Sequence, residues 1–183
     1  MPILQGMKAF FVSLILTVAP ISLVADQANP DFIASIESGV LCLPEPAGFA
    51  PAPNTLTGST KIITEEPEFT STDNQVPAVL GIGFGVKSLA LRPGGIENVV
   101  NVVTHPPMGD TQTQLQSFTT WINDSAPSLT FFHFDHSYEL VQGTWNFTAM
   151  LGEEVLFSVP FEVVDPKRLP GLAESCGYRE LLS

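Results

Sequence analysis

Apolar and polar side chains alternate along most of this chain with the two-residue period of half-buried strands, and turn residues interrupt the pattern at short intervals. Leu80, Ile82, Phe84 and Val86 share one face of a segment running from Val79 to Leu91. Further on, Trp145, Phe147, Ala149 and Leu151 alternate with polar neighbours between Gly143 and Leu151. Val155, Phe157, Val159, Phe161 and Val163 answer them between Val155 and Val164, across Gly152-Glu153, which predicts a hairpin with both apolar faces on a core. Gly58 to Phe69, Ile96 to Thr104, Thr111 to Ile122 and Ser128 to Asp135 complete a set of about seven strands. Breaks fall at Arg92-Pro93-Gly94-Gly95, at His105-Pro106-Pro107 and between Asn123 and Pro127. Pro160 has no N–H to give to a ladder, so the last strand is expected to be an edge or to bulge there.

Short strands at regular spacing, with no long helical period, predict an all-β fold, an immunoglobulin-like antiparallel β-sandwich rather than a closed barrel or an α/β fold. Upstream, Asn29-Pro30-Asp31 has the form of a helix start and predicts a short helix through Phe32 to Ile36 that Gly39 ends. Pro44, Pro46, Pro51 and Pro53 then predict an extended surface segment. The organisation expected is a leader over 26–56, the sandwich over 57–165 and a tail over 166–183 with one helical turn near Leu172–Cys176.

Residues 1–25 read as a signal peptide. Lys8 precedes an apolar run from Ala9 to Ala19, shorter than the roughly 20 residues of a membrane span, and Ala25 supplies a small residue for cleavage. Met7 lies directly before Lys8, so translation from Met1 and from Met7 are both open. The expected location is the periplasm or the exterior, with no membrane association after cleavage. Cys42 and Cys176 are the only two cysteines and are expected to pair in an oxidising compartment. The net charge of −12, from 7 basic and 19 acidic residues, repels phosphate backbones and argues against a nucleic-acid partner.

Candidate chemistry is sparse. Gly81-Ile82-Gly83-Phe84-Gly85 lacks the spacing and the following helix of a dinucleotide loop, and reads as a strand whose glycine face another backbone approaches. His133, Asp135 and His136 form the one cluster of metal-ligating types, but on a strand His133 and Asp135 face one way and His136 the other. A site there would need a turn after Asp135 and a ligand such as His105. The alternative is a strand-end turn in which Asp135 accepts backbone N–H bonds. His105, held extended before two prolines, and Arg92 are candidates for ligand-contacting loops. Asp135, Tyr138, Gly143 and Trp145 suggest a structural corner, with the Trp145 indole or the Tyr138 hydroxyl bonding nearby backbone. Glu65-Glu66 and Glu153-Glu154 are neighbours that point apart on a strand, so neither is a paired acid and base. No catalytic residue and no cofactor is assigned.

Gly83-Phe84-Gly85, His105-Pro106, Phe134-Asp135, Tyr138-Glu139-Leu140, Gly143-x-Trp145-x-Phe147 and Phe161-x-Val163-Val164 together resemble an uncharacterised bacterial family, the domain of unknown function numbered 3859, over roughly Thr57 to Val164. The resemblance implies a secreted or periplasmic Gram-negative protein without an established activity. The leading expectation is a non-catalytic binding module for a periplasmic protein or glycan. The alternatives are a metal protein or hydrolase using His105, His133, Asp135 and His136, and a structural envelope component. A monomer is the simplest assembly.

Overall fold

The computed structural model describes residues 27–176, so the expected signal peptide, with Lys8, and the last seven residues lie outside the described residues. The strands are β1 (Gln27–Ala28), β2 (Ile33–Cys42), β3 (Gly48–Pro51), β4 (Ser59–Ile62), β5 (Phe69–Ser71), β6 (Gln75–Pro77), β7 (Ile82–Ala90), β8 (Ile96–Met108), β9 (Thr113–Ile122), β10 (Ser128–His133), β11 (Gly143–Leu151) and β12 (Glu154–Val164). One sheet has the order β1-β12-β11-β8-β9, with β6 added to β12, and the facing sheet has the order β10-β7-β2-β5. β3 and β4 pair only with each other. A single turn of helix, α1 (Pro170–Ala173), follows the sandwich. No helix among the described residues is long and apolar enough to cross a membrane.

Phe84 joins the two sheets. Its ring, fully buried on β7, lies 5.4 Å from Trp145, 5.6 Å from Phe147 and 5.3 Å from Phe161 on the opposite sheet, and 5.4 Å from Phe134 beyond β10. The first three are edge-on contacts, the geometry in which ring edges meet ring faces favourably. The glycines flanking Phe84 allow β10 and β2 to close on β7: a Cβ on Gly85 would strike the backbone of Thr130 and Phe131. The glycine-rich run is therefore a packing device, as its strand context suggests.

The expected helix at Pro30 is a strand. Asn29 Oδ1 accepts the Asp31 N–H, and its carbonyl accepts from Phe32 and Ile33, closing a turn that releases the chain into β2. A bulge in the β2–β7 register between Ile33 and Ser35 puts Ile33 and Ile36 three residues apart against the same core, a spacing that imitates a helix face. Val40, inside the supposed leader, is fully buried, so the packed body begins at β2. The stretch expected as one strand from Gly58 divides into β4 and β5, with Pro67 between them.

The hairpin of β11 and β12 pairs Trp145 with Phe161 and Phe147 with Val159. A register shift between Ala149 and Met150 inserts an extra residue in β12, so Leu156 is buried while Val155, expected inside, is 44% exposed. Pro160 occupies an edge position. The Glu162 N–H points away from β11 to Asn74 O, and two residues earlier the same side belongs to Pro160, in the interval between the segments covered by β1 and β6.

Cys42 at the end of β2 and Cys176 beyond α1 form a disulfide, with Cα atoms 5.2 Å apart, that spans 134 residues. Closing so long a loop removes unfolded-chain freedom worth about 4 to 5 kcal/mol in the entropy model. Cys42→Ser with Cys176→Ser is expected to lower the unfolding free energy by a large part of that amount. Urea denaturation of the oxidised protein and the double variant measures it, and equal midpoints would refute the assignment of stability to the bond.

Candidate functional site

The side of the sandwich where β9 and β10 end their respective sheets is covered by the β3–β4 hairpin, and a cleft of about 280 Å³ lies between them. Gln116, Phe118 and Thr120 from β9, Phe131, Phe132 and His133 from β10, and Ser59 to Lys61 from β4 form its walls. The proline-rich segment is thus extended, as its composition predicts, but it folds back as a hairpin over the cleft. Two polar links tie the hairpin to β9: Leu56 N–H to Gln116 Oε1 at 2.8 Å and Ser117 N–H to Asn54 O at 3.2 Å.

A third link crosses to β10. Lys61 Nζ lies 2.7 Å from Asp135 Oδ1 and 2.9 Å from His133 Nδ1, and those two acceptors are themselves 2.9 Å apart. His133 also bonds the Gly81 backbone. When neutral, Nδ1 accepts from the ammonium; when protonated, it can only donate to Asp135 and must face the lysine charge. Burial, with the Lys61 charge, holds the His133 pKa below the usual imidazole value against the opposing pull of Asp135. Burial opposes ionisation of Asp135, yet the Lys61 bond and the charges of His133 and Lys61 outweigh it and keep that carboxyl below its ordinary range.

His105 is not a ligand-loop residue. It lies buried in β8, which continues through His105-Pro106-Pro107 to Met108 rather than ending at Thr104. Its ring sits 4.7 Å from that of Trp145. Nδ1 bonds Pro106 O at 2.9 Å and Nε2 meets Gln116 Nε2 at 3.1 Å; because Gln116 Oε1 is already taken by Leu56, its amide donates and His105 accepts. The imidazole therefore orients the glutamine that holds the hairpin. Arg92 lies exposed in the turn before β8, at the other end of that strand, so the two candidates share no surface.

His136 stacks on Tyr138, their rings 5.1 Å apart, and the three imidazoles do not converge. No group of three or more metal-ligating side chains occurs among the described residues. The strand-end turn depends on a different carboxylate from the one expected. Glu139, buried at 3% exposure, accepts the N–H of Asp135 at 2.6 Å and of His136 at 2.8 Å, whereas Asp135 reaches outward to Lys61. Burial raises the Glu139 pKa despite those two bonds. At the corner itself Trp145 is wholly buried and donates to Val141 O at 3.1 Å, while Tyr138 is 42% exposed. Gly143, at φ 127°, passes so close to Pro106 that a side chain would crowd the ring.

Lys61 and Gln116 carry no motif that a linear reading could single out. The lysine stands on a four-residue strand within the stretch expected as one strand from Gly58 to Phe69, and Gln116 is one of several polar residues in β9.

The all-β sandwich, two antiparallel sheets joined through an aromatic core, has an immunoglobulin-like fold. It is similar to the crystal structure of an immunoglobulin-like protein from Pseudomonas aeruginosa, with 16% identity, covering 78% of this chain and 99% of that one, at a TM-score of 0.51. The family profile described as Domain of unknown function (DUF3859) matches residues 30–163, and the chain belongs to that family. The match includes β2. A search of curated proteins finds no significant match.

His105 and His133 have folded pKa values below the unfolded value of 6.5, so in the interval beneath 6.5 the unfolded chain binds more protons. Their contribution to stability is complete above that value and is lost as the pH falls from it through the lower folded values. Glu139 acts oppositely, its raised pKa favouring the folded state on acidification above 4.5. Urea unfolding is expected to show lower stability near pH 6 than near pH 7.5, with a smaller difference in His133→Asn. An unchanged slope in that variant would contradict the assignment.

Proposed function

We propose that this protein is an exported, non-catalytic recognition module that holds its ligand in the cleft beneath the β3–β4 hairpin. The observation that carries the reading is the cleft: a concave site between two sheet edges, roofed by a hairpin that belongs to neither sheet. The charged groups near it support binding over chemistry. Lys61, His133 and Asp135 engage one another, and Glu139 is occupied by backbone. No side chain of the cleft has the nucleophile-and-base arrangement that acyl or phosphoryl transfer requires. The apolar run after Lys8 and the disulfide both favour an oxidising compartment outside the cytoplasm.

Two measurements test this reading. Cell fractionation with N-terminal sequencing is expected to find the mature protein outside the cytoplasm, beginning near Asp26 with both thiols blocked; cytosolic protein with two alkylatable thiols would overturn export. Immobilised protein is expected to retain a component of an envelope extract that Thr120→Trp, whose indole fills the cleft, does not. Equal retention on both would remove the cleft from the function.

A further inference from the structure

We infer that the cleft takes a neutral sugar residue, presented by a glycan. This deepens the recognition reading above and rests on it. Few polar groups on the walls are free to bind. The three charged side chains there are occupied, Lys61 with Asp135 and Glu139 with two backbone N–H groups, so a charged ligand would have to break one of these pairings. Gln116 is saturated at both ends of its amide. The hydroxyls of Thr55 and Thr57 are turned to backbone carbonyls of the hairpin. Ser59 and Thr60 on β4 and Thr119 and Thr120 on β9 line the cleft, and their hydroxyls make no hydrogen bond among the described residues; neighbours on a strand face opposite ways, so each wall turns one hydroxyl of its pair to the cleft, on β9 that of Thr120, which shares its face with Gln116 and Phe118.

A hydroxyl both donates and accepts, so a free hydroxyl on each wall matches a ligand whose own groups do the same, which is the property of a polyol. Phe118, Phe131 and Phe132 supply apolar surface to the same space. A pyranose combines these demands: equatorial hydroxyls around its rim and a patch of C–H groups on its face, which packs on an aromatic ring whose face carries partial negative charge. The net charge of −12 disfavours acidic sugars and phosphorylated ligands. A space of about 280 Å³ falls just below the range of roughly 300–1,000 Å³ for drug-sized ligands, and suits one ring better than an extended chain.

Titration of the intact protein, observed by amide and aromatic NMR, is the test, with glucose, galactose, mannose and N-acetylglucosamine and their trisaccharides as probes. At least one is expected to give saturable shifts centred on Ser59, Thr60, Thr119, Thr120 and Phe131. Thr60→Val with Thr120→Val, which keeps the shape and removes two hydroxyls, is expected to weaken that binding about tenfold or more while leaving the urea midpoint in place. Absence of saturable shifts with every sugar up to about 50 mM overturns the inference, as does undiminished binding by the double variant. A neutral Ala-Ser-Thr peptide serves as the competing probe. If it alone shifts these residues, the sugar class is wrong and the recognition cleft stands; if the Thr120→Trp variant also retains what the native protein retains, both readings fall.

Discussion

The contact of Phe84 with Trp145 is the constraint on which the remaining structure depends. Each ring stands at the middle of its own sheet, one on β7 and one on β11, and each is wholly excluded from water. Neither sheet can bury its apolar face alone, so the edge-on meeting of these rings sets the separation of the sheets and their relative position. The glycines beside Phe84 belong to the same constraint, since they let β2 and β10 approach β7 closely enough for Phe132 and Phe134 to join the cluster.

From that core a line of contacts leads to the cleft. Trp145 packs on His105, His105 accepts from Gln116, and Gln116 accepts the N–H of Leu56 in the hairpin. Glu139 gathers the backbone after β10 and thereby sets Asp135 beside Lys61. The hairpin is held at one side by an uncharged relay that begins in the hydrophobic interior, and at the other by a part-exposed ion pair that solvent screens. Its placement over β9 and β10 is therefore set chiefly by packing and by the neutral state of two histidines.

Much of the architecture could be read from the alternation alone, because strands with one wet and one dry face write their period into the chain. The hairpin of β11 and β12, the central strand β7 and the strands β8 to β10 were all legible in this way, and so was the pairing of two lone cysteines. The failures have local causes. The bulge at Ile33 broke the period at the start of β2, and Asn29-Pro30-Asp31 offered the chemistry of a helix cap to what is an Asx turn. β1, β3 and β6 are too short to show a period and exist because neighbouring backbone stands ready to pair with them.

The site divides along the same line. By itself the amino-acid order determined the all-β class, the apolar faces, the turns and the residue types present, since these follow from period, backbone preference and composition within a few neighbouring positions. Only the tertiary structure decided that His105 lies inside and steers Gln116, that Glu139 rather than Asp135 binds the turn, and that Lys61 meets His133 across 72 residues. Those outcomes depend on which sheet edges come to face one another, and that is fixed by the packing of two sheets through shared aromatic rings rather than by any spacing along the chain.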